Sequence, residues 1–209
     1  MQEENLENLK TPESQAWSIP ERPVRPVATE FFICPVCHQS GWESPLEQET
    51  PQECLRCSRC GGQVSSTEGF WDLFRGEDDA DQAETVRFYE CDYIHYNPTL
   101  HEEDSEDKFK LIEPLMAGLS NVESILDIGC GGATVLRLVN QRFRPQVVIG
   151  ADISRTMLRK SIAVTPEATF ARFDVSSIPV ASNSMELCLM IDVVEHLPDP
   201  LRALKEVAR

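Results

Sequence analysis

One stretch constrains this chain more than any other: Ser124-Ile125-Leu126-Asp127-Ile128-Gly129-Cys130-Gly131-Gly132-Ala133, an apolar run that ends in an acid and a cluster of glycines. The apolar part reads as a buried parallel strand, and the glycines let the backbone turn tightly into the next element while approaching a ligand closely. After Thr134, the residues Val135, Leu136, Leu138 and Val139 fit the packed face of a helix. The glycines therefore sit on a strand-turn-helix corner, and a nucleotide-like cofactor is the first expectation, with a plain tight turn as the alternative.

The chain downstream keeps alternating. Strands are expected over 122–128, 146–152, near 168–174 and over 185–192, with helices over about 133–142 and 154–163. A last helix opens at Asp199-Pro200, a capping acid followed by proline in the first turn, and carries Leu201, Leu204 and Val207. Such alternation implies an α/β fold with a parallel sheet and right-handed crossovers.

Upstream lies a different signal. Cys34-Pro35-Val36-Cys37 and Cys57-Ser58-Arg59-Cys60-Gly61-Gly62 are two Cys-x-x-Cys hooks separated by 19 residues. Paired hooks bring four thiolates together in the closed shell of a structural zinc, and a segment of this size needs such a staple because it buries little surface alone. Cys54 and Cys57 also have hook spacing; Gly61-Gly62 favours Cys57 and Cys60 as the second pair, with Cys54 a spare thiol. His38 reads as a surface residue, since four cysteines already close the shell.

Four regions follow: a proline-rich, charged leader over 1–30 expected to be largely disordered, a zinc ribbon over 31–76, an acidic linker and lid helices over 77–120, and the βα region over 121–209. The net charge of −16 is concentrated in the third, where residues 77–120 carry 13 acids and 3 bases. The ribbon itself has 6 acids against 3 bases, which opposes tight phosphate binding. No apolar run approaches the roughly 20 residues of a membrane span, and the acidic start is unlike an export signal, so a cytoplasmic protein with reduced cysteines is expected. Within 77–120, Val86, Phe88, Tyr89, Tyr93, Ile94 and Tyr96 form an aromatic stretch, and Phe109, Ile112, Leu115, Met116 and Leu119 recur at helical intervals.

Asp152 closes the second strand 23 residues after Gly129, where an acid in this fold reaches ribose hydroxyls. Thr134 stands where a dinucleotide motif wants its third small residue, and Asp174 and Asp192 end the next two strands. With these residues the sequence resembles the class I S-adenosylmethionine-dependent methyltransferases of the broad type 11 group, from about 122 to Arg209. The resemblance implies that Asp127, Gly129 and Gly131 line the methionine part of the cofactor pocket, that Asp152 holds the ribose, and that Ile153 packs on the adenine. It implies further that Asp174 and the Val175 backbone meet the adenine amine, that Asp192 lies near the sulfonium, and that Phe88, Tyr89 and Tyr93 belong to a lid. Ala133 replaces the last glycine of the Gly-x-Gly-x-Gly form. Glu195 and His196 are expected to be structural, and no catalytic residue is assigned.

The expected fold is thus a Rossmann-like parallel sheet with the first four of the family's seven strands, preceded by a small zinc ribbon. The chain stops inside the helix after the fourth strand, so the reading expects a fragment or a degenerate protein, with the fourth strand as an apolar edge. The expected function is methyl transfer from S-adenosylmethionine to an undetermined acceptor, most simply a small molecule. Domain order and the Cys-Pro-x-Cys opening also resemble ribosomal RNA guanine methyltransferases that read RNA with a zinc module, and a non-catalytic zinc-containing binding module is a further alternative. Oligomeric state is not legible.

Overall fold

A computed structural model describes residues 26–49, 53–76, 80–92 and 100–209. Most of the expected leader lies outside the described residues, as do Tyr93, Ile94 and Tyr96 of the aromatic stretch. Where the description begins, Pro26–Phe31 is a 3₁₀ turn with Ala28 and Thr29 buried.

The N-terminal elements are a one-turn helix α1 (Pro35–Gln39) and four strands, β1 (Leu46–Glu49), β2 (Cys54–Cys57), β3 (Gln63–Thr67) and β4 (Phe70–Asp72). Helix α2 (Ala80–Arg87) runs into a π-helical turn over Phe88–Asp92, and α3 (Leu100–Ile112) follows. The alternating part is β5 (Ser124–Ile128), α4 (Thr134–Phe143), β6 (Val147–Asp152), α5 (Arg155–Val164), β7 (Thr169–Arg172), β8 (Leu187–Met190) and α6 (Pro200–Ala208). Asp199 caps α6 by accepting from the Arg202 N–H at 3.1 Å, as its Asp-Pro signal predicts.

All eight strands form one sheet in the order β1-β2-β3-β4-β7-β6-β5-β8. The first four pair antiparallel, the last four parallel, and β4 is the seam: it pairs antiparallel with β3 and parallel with β7, in the register Trp71 with Ala171 and Asp72 with Arg172. The order reverses between β5 and β8, because β6 and β7 step to one side of β5 and β8 returns to the other. In a Rossmann-like sheet this switch point opens a crevice at the C-terminal strand ends.

Alternation of side chains along the strands puts one apolar cluster on each face. One holds Phe70, Ile125, Leu136, Val148, Leu158 and Phe170 beneath the helices. The other joins Cys34, Cys37 and Cys57 to Trp71, Leu126, Ile128 and Ile149. The apolar residues of the thiol-bearing segment therefore share the core of the parallel sheet. The edge bridge from Phe32 to Val180 and the bond from the Ile33 N–H to the Pro179 carbonyl at 3.0 Å tie the same regions together.

Two other expectations shift. Pro114 ends α3 at Ile112, and the chain continues as a 3₁₀ turn over Glu113–Met116. The change of period buries Met116 but leaves Leu115 82% exposed, so Leu115 does not continue the packed stripe. β7 and β8 also end earlier than expected, and Asp174 and Asp192 lie two residues past their last ladder positions.

Candidate functional site

Two sites are built by these elements, on opposite sides of the β4–β7 seam. In the first, Cys34 precedes α1 and Pro35 starts it, so one helical turn brings Cys37 back toward Cys34, with the His38 N–H bonded to the Cys34 carbonyl at 2.9 Å. The second hook turns on two glycines. Gly61 has φ +72°, its N–H bonds to the Cys57 carbonyl at 2.9 Å, and the Gly62 N–H points at the Cys60 sulfur at 3.3 Å. A methyl group on Gly62 would lie 3.1 Å from that sulfur, so the glycine keeps the turn close to the thiol.

The four sulfurs of Cys34, Cys37, Cys57 and Cys60 lie within 4.8 Å of one another, with Cys34–Cys60 at 3.5 Å and Cys37–Cys57 at 3.8 Å. A tetrahedral zinc with bonds near 2.3 Å needs sulfurs about 3.8 Å apart, and the cluster fits it. Burial pushes the Cys34 thiol up to about 12, whereas Cys57, against the upward pull of its own burial, is drawn down to about 7 by the backbone N–H groups of Cys60 and Arg59. Cys54 is elsewhere: it sits three residues from Cys57 on extended β2, so the two point to opposite faces, and its thiol faces Glu49. His38 is not a free surface residue. Its side chain is 11% exposed, and Nε2 pairs with Glu206 of α6 at 2.8 Å.

The second site is the glycine corner. The Gly129 and Cys130 N–H groups both donate to the Ala151 carbonyl of β6, at 2.8 and 2.9 Å. Gly129, Gly131 and Ala133 all have left-handed φ, at +71°, +52° and +58°. Ala133, fully buried, carries strain of about 1–2 kcal/mol that a glycine would not. A side chain on Gly129 would overlap the Val193 Cγ2 methyl, so its absence lets the loop after β8 close on the turn after β5. Side chains on Gly131 or Gly132 would meet nothing within 4 Å, leaving open space above the turn.

Asp152 organises this corner. One carboxylate oxygen accepts from the Gly131 N–H and the other from the Ser154 N–H, both at 2.9 Å. Burial raises its pKa, the two N–H groups lower it, and the charge of Glu90 raises it again. Ser161 of α5 donates from Oγ to the Gly131 carbonyl at 2.6 Å, and Thr165, just past the end of α5, donates from Oγ1 to the Ala133 carbonyl at 3.3 Å. These two supports escaped the sequence reading.

Asp127 is buried at the end of β5, and burial, with the Asp152 charge beside it, pushes its carboxyl up to about 8. Because the folded chain then holds this proton more tightly than the unfolded one, stability is unaffected below the ordinary value of 3.8 and falls as pH rises toward 8. Asp127→Asn keeps the shape and removes the titration. In thermal unfolding across pH it should match the parent near pH 4 and gain on it steadily to pH 8; a difference independent of pH would contradict the buried-acid assignment.

The remaining expected residues are more dispersed. Ile153 follows Asp152, and its carbonyl accepts from Arg172 Nε at 2.9 Å. Asp174 accepts from the Ser176 N–H at 2.7 Å, a local turn that draws it out of the ladder beside Val175. Asp192, at φ +53°, pairs with Lys108 of α3 at 2.5 Å. The lid segment reaches the corner through Glu90, which accepts from the Arg155 N–H at 2.5 Å and from Thr156 N–H and Oγ1 at 3.2 and 2.7 Å, so it caps the first turn of α5. Tyr89 meets His196 edge-on with ring centres 6.4 Å apart. Glu90 lies within the aromatic stretch and Lys108 just after a run of acids, and the sequence reading singled out neither.

A glycine turn held by a buried acid from the neighbouring strand, beside the point where the strand order reverses, is the arrangement in which open α/β sheets bind ligands. Residues 126–209 match the family described as Methyltransferase domain. Among curated proteins, the chain is similar to the trans-aconitate 2-methyltransferases of Variovorax paradoxus (24% identical over 108 residues, 51% of this chain and 42% of the relative) and Escherichia coli strain 55989 (26% over 106 residues, 50% and 42%). Among solved structures, it is similar to Haemonchus contortus phosphoethanolamine N-methyltransferase 2 bound to phosphomonomethylethanolamine and S-adenosylhomocysteine (22% identity, 48% of this chain and 24% of that one, TM-score 0.44). The class to which residues 126–209 are similar is therefore that of the methyltransferase domains. The chain spans less than half the length of the curated relatives it matches. Among the described residues, no helix is long and apolar enough to cross a membrane.

Proposed function

We infer that this chain transfers methyl groups from S-adenosylmethionine to a small-molecule acceptor, and that its four-cysteine cluster holds one structural zinc. The observation that carries the reading is the convergence of Asp127, the glycine turn and Asp152 at the C-terminal ends of adjacent strands β5 and β6, beside the switch point. Bound there, the cofactor would supply a methyl group already activated on a sulfonium. The chain's residues have only to bind, orient and exclude water. Asp152, with its two backbone donors, would accept from the ribose hydroxyls, and Asp127 would face the cationic methionine end. Ile153, Asp174 and Val175 would border the adenine, while Glu90 and Tyr89 hold the lid segment over α5 and the β8 loop. Methyl transfer needs in-line placement more than acid-base help, so the lack of an assigned catalytic base is no obstacle.

An acceptor with a small carboxylic acid is the first to try, because the curated relatives are named for one. RNA is the second reading, supported by domain order and opposed by the acidic surface of residues 31–76. Labelled methyl donor incubated with a panel of small carboxylic acids and, separately, with bulk ribosomal RNA separates them. Label in a small product supports this reading; label in RNA alone would replace it with the second.

A further inference from the structure

The seam between the thiol-bearing sheet and the parallel sheet is more than packing. Asp72, the last residue of β4, faces two arginines of the cofactor half: it pairs with Arg155, the first residue of α5, and lies 3.5 Å from Nη1 of Arg172. Arg172 is 3% exposed, with its guanidinium 4.4 Å from the Phe74 ring centre and Nε bonded to the Ile153 carbonyl at 2.9 Å. Arg155 in turn begins the helix whose first N–H groups are capped by Glu90, directly after Asp152, Ile153 and Ser154. One carboxylate thus pairs with two side chains tied to the backbone just after Asp152: Arg172, which holds the Ile153 carbonyl, and Arg155, which opens α5.

We propose that Asp72 is a positioning residue for the cofactor loop at 152–155, so that docking of β4 on β7 sets the ribose and adenine side of the site. This rests on the cofactor reading above. A guanidinium as buried as Arg172 is held by its charged neighbours, and without Asp72 the fork loses one of the fixed ends from which it supports Ile153. The N-terminal sheet would then act on the cofactor directly, through one side chain, as well as by sharing a core.

The test is Asp72→Asn, which keeps the side chain's shape and an acceptor oxygen but removes the charge. S-adenosylhomocysteine and 5′-methylthioadenosine, which shares its adenosine end but lacks the amino acid, should both bind about tenfold more weakly, the equivalent of one charge-assisted hydrogen bond. Zinc content should be unchanged, and amide exchange should quicken at 152–156 but not along α4 at 137–142. Asp72→Glu, which restores the charge, should recover most of the affinity. If Asp72→Asn fails to fold, Arg155→Gln breaks the more exposed arm of the same network and should show the same pattern. Parent-like affinity in the variant, or exchange quickened evenly across the sheet, would overturn the inference while leaving the cofactor reading intact. A parent protein that binds neither ligand would overturn both.

Discussion

Replacing Cys57 with serine should abolish zinc binding, taking metal analysis from one zinc per chain to none, whereas Cys54→Ser should leave it unchanged. Cys57 is completely buried and its sulfur is 3.8 Å from that of Cys37. Backbone donors favour its thiolate, so the hydroxyl of serine removes both the soft donor and the charge. Structural zinc contributes roughly 10–16 kcal/mol in isolated finger peptides, and here three of the four ligands, Cys34, Cys37 and Cys57, belong to the core that also holds Leu126 and Ile128. Loss of the metal should therefore lower the thermal midpoint of the whole chain by about 10 °C or more, and a chelator should do the same to the parent. If Cys54→Ser removes the zinc and Cys60→Ser does not, the second hook has been assigned to the wrong pair.

The second large effect is expected at Asp152. Asp152→Ala removes the carboxylate that bridges the Gly131 and Ser154 N–H groups and leaves both donors to water or to nothing. With the ribose hydroxyls also deprived of an acceptor, affinity for S-adenosylhomocysteine should fall about a hundredfold or more, the scale of two lost charge-assisted bonds. Zinc content should not change, since the thiol cluster lies across the β4–β7 seam. Asp152→Asn keeps one acceptor oxygen and should fall between the two. A variant that binds as the parent does would remove Asp152 from the site.

The parts of this account that were legible in the sequence are local. The glycine corner needs only the apolar run of β5, the turn and the apolar face of α4, all within twenty residues. The thiol hooks are as local, and Gly61-Gly62 identified the turn that points an N–H at Cys60. What escaped depends on pairing between distant segments. No periodicity announces that Phe70-Trp71-Asp72 will join β7 in parallel register, so the shared core, the Asp72 network and the pairing of His38 with Glu206 could not be foreseen. Leu115 misled for a local reason: its spacing suits a continuing helix, but Pro114 switches the turn to 3₁₀. Asp174 misled for another, since its own side chain closes a turn that ends the strand early.

An acid at the end of the second strand serves the ribose of nicotinamide cofactors as well, so Asp152 alone cannot distinguish the two cofactor classes. The measurement that does so most directly is calorimetric titration of the zinc-loaded parent with S-adenosylmethionine and, separately, with NAD. Saturable binding of S-adenosylmethionine and no heat with NAD is the predicted result. Saturable binding of NAD with none of S-adenosylmethionine would contradict the account and move the glycine corner to a dinucleotide fold.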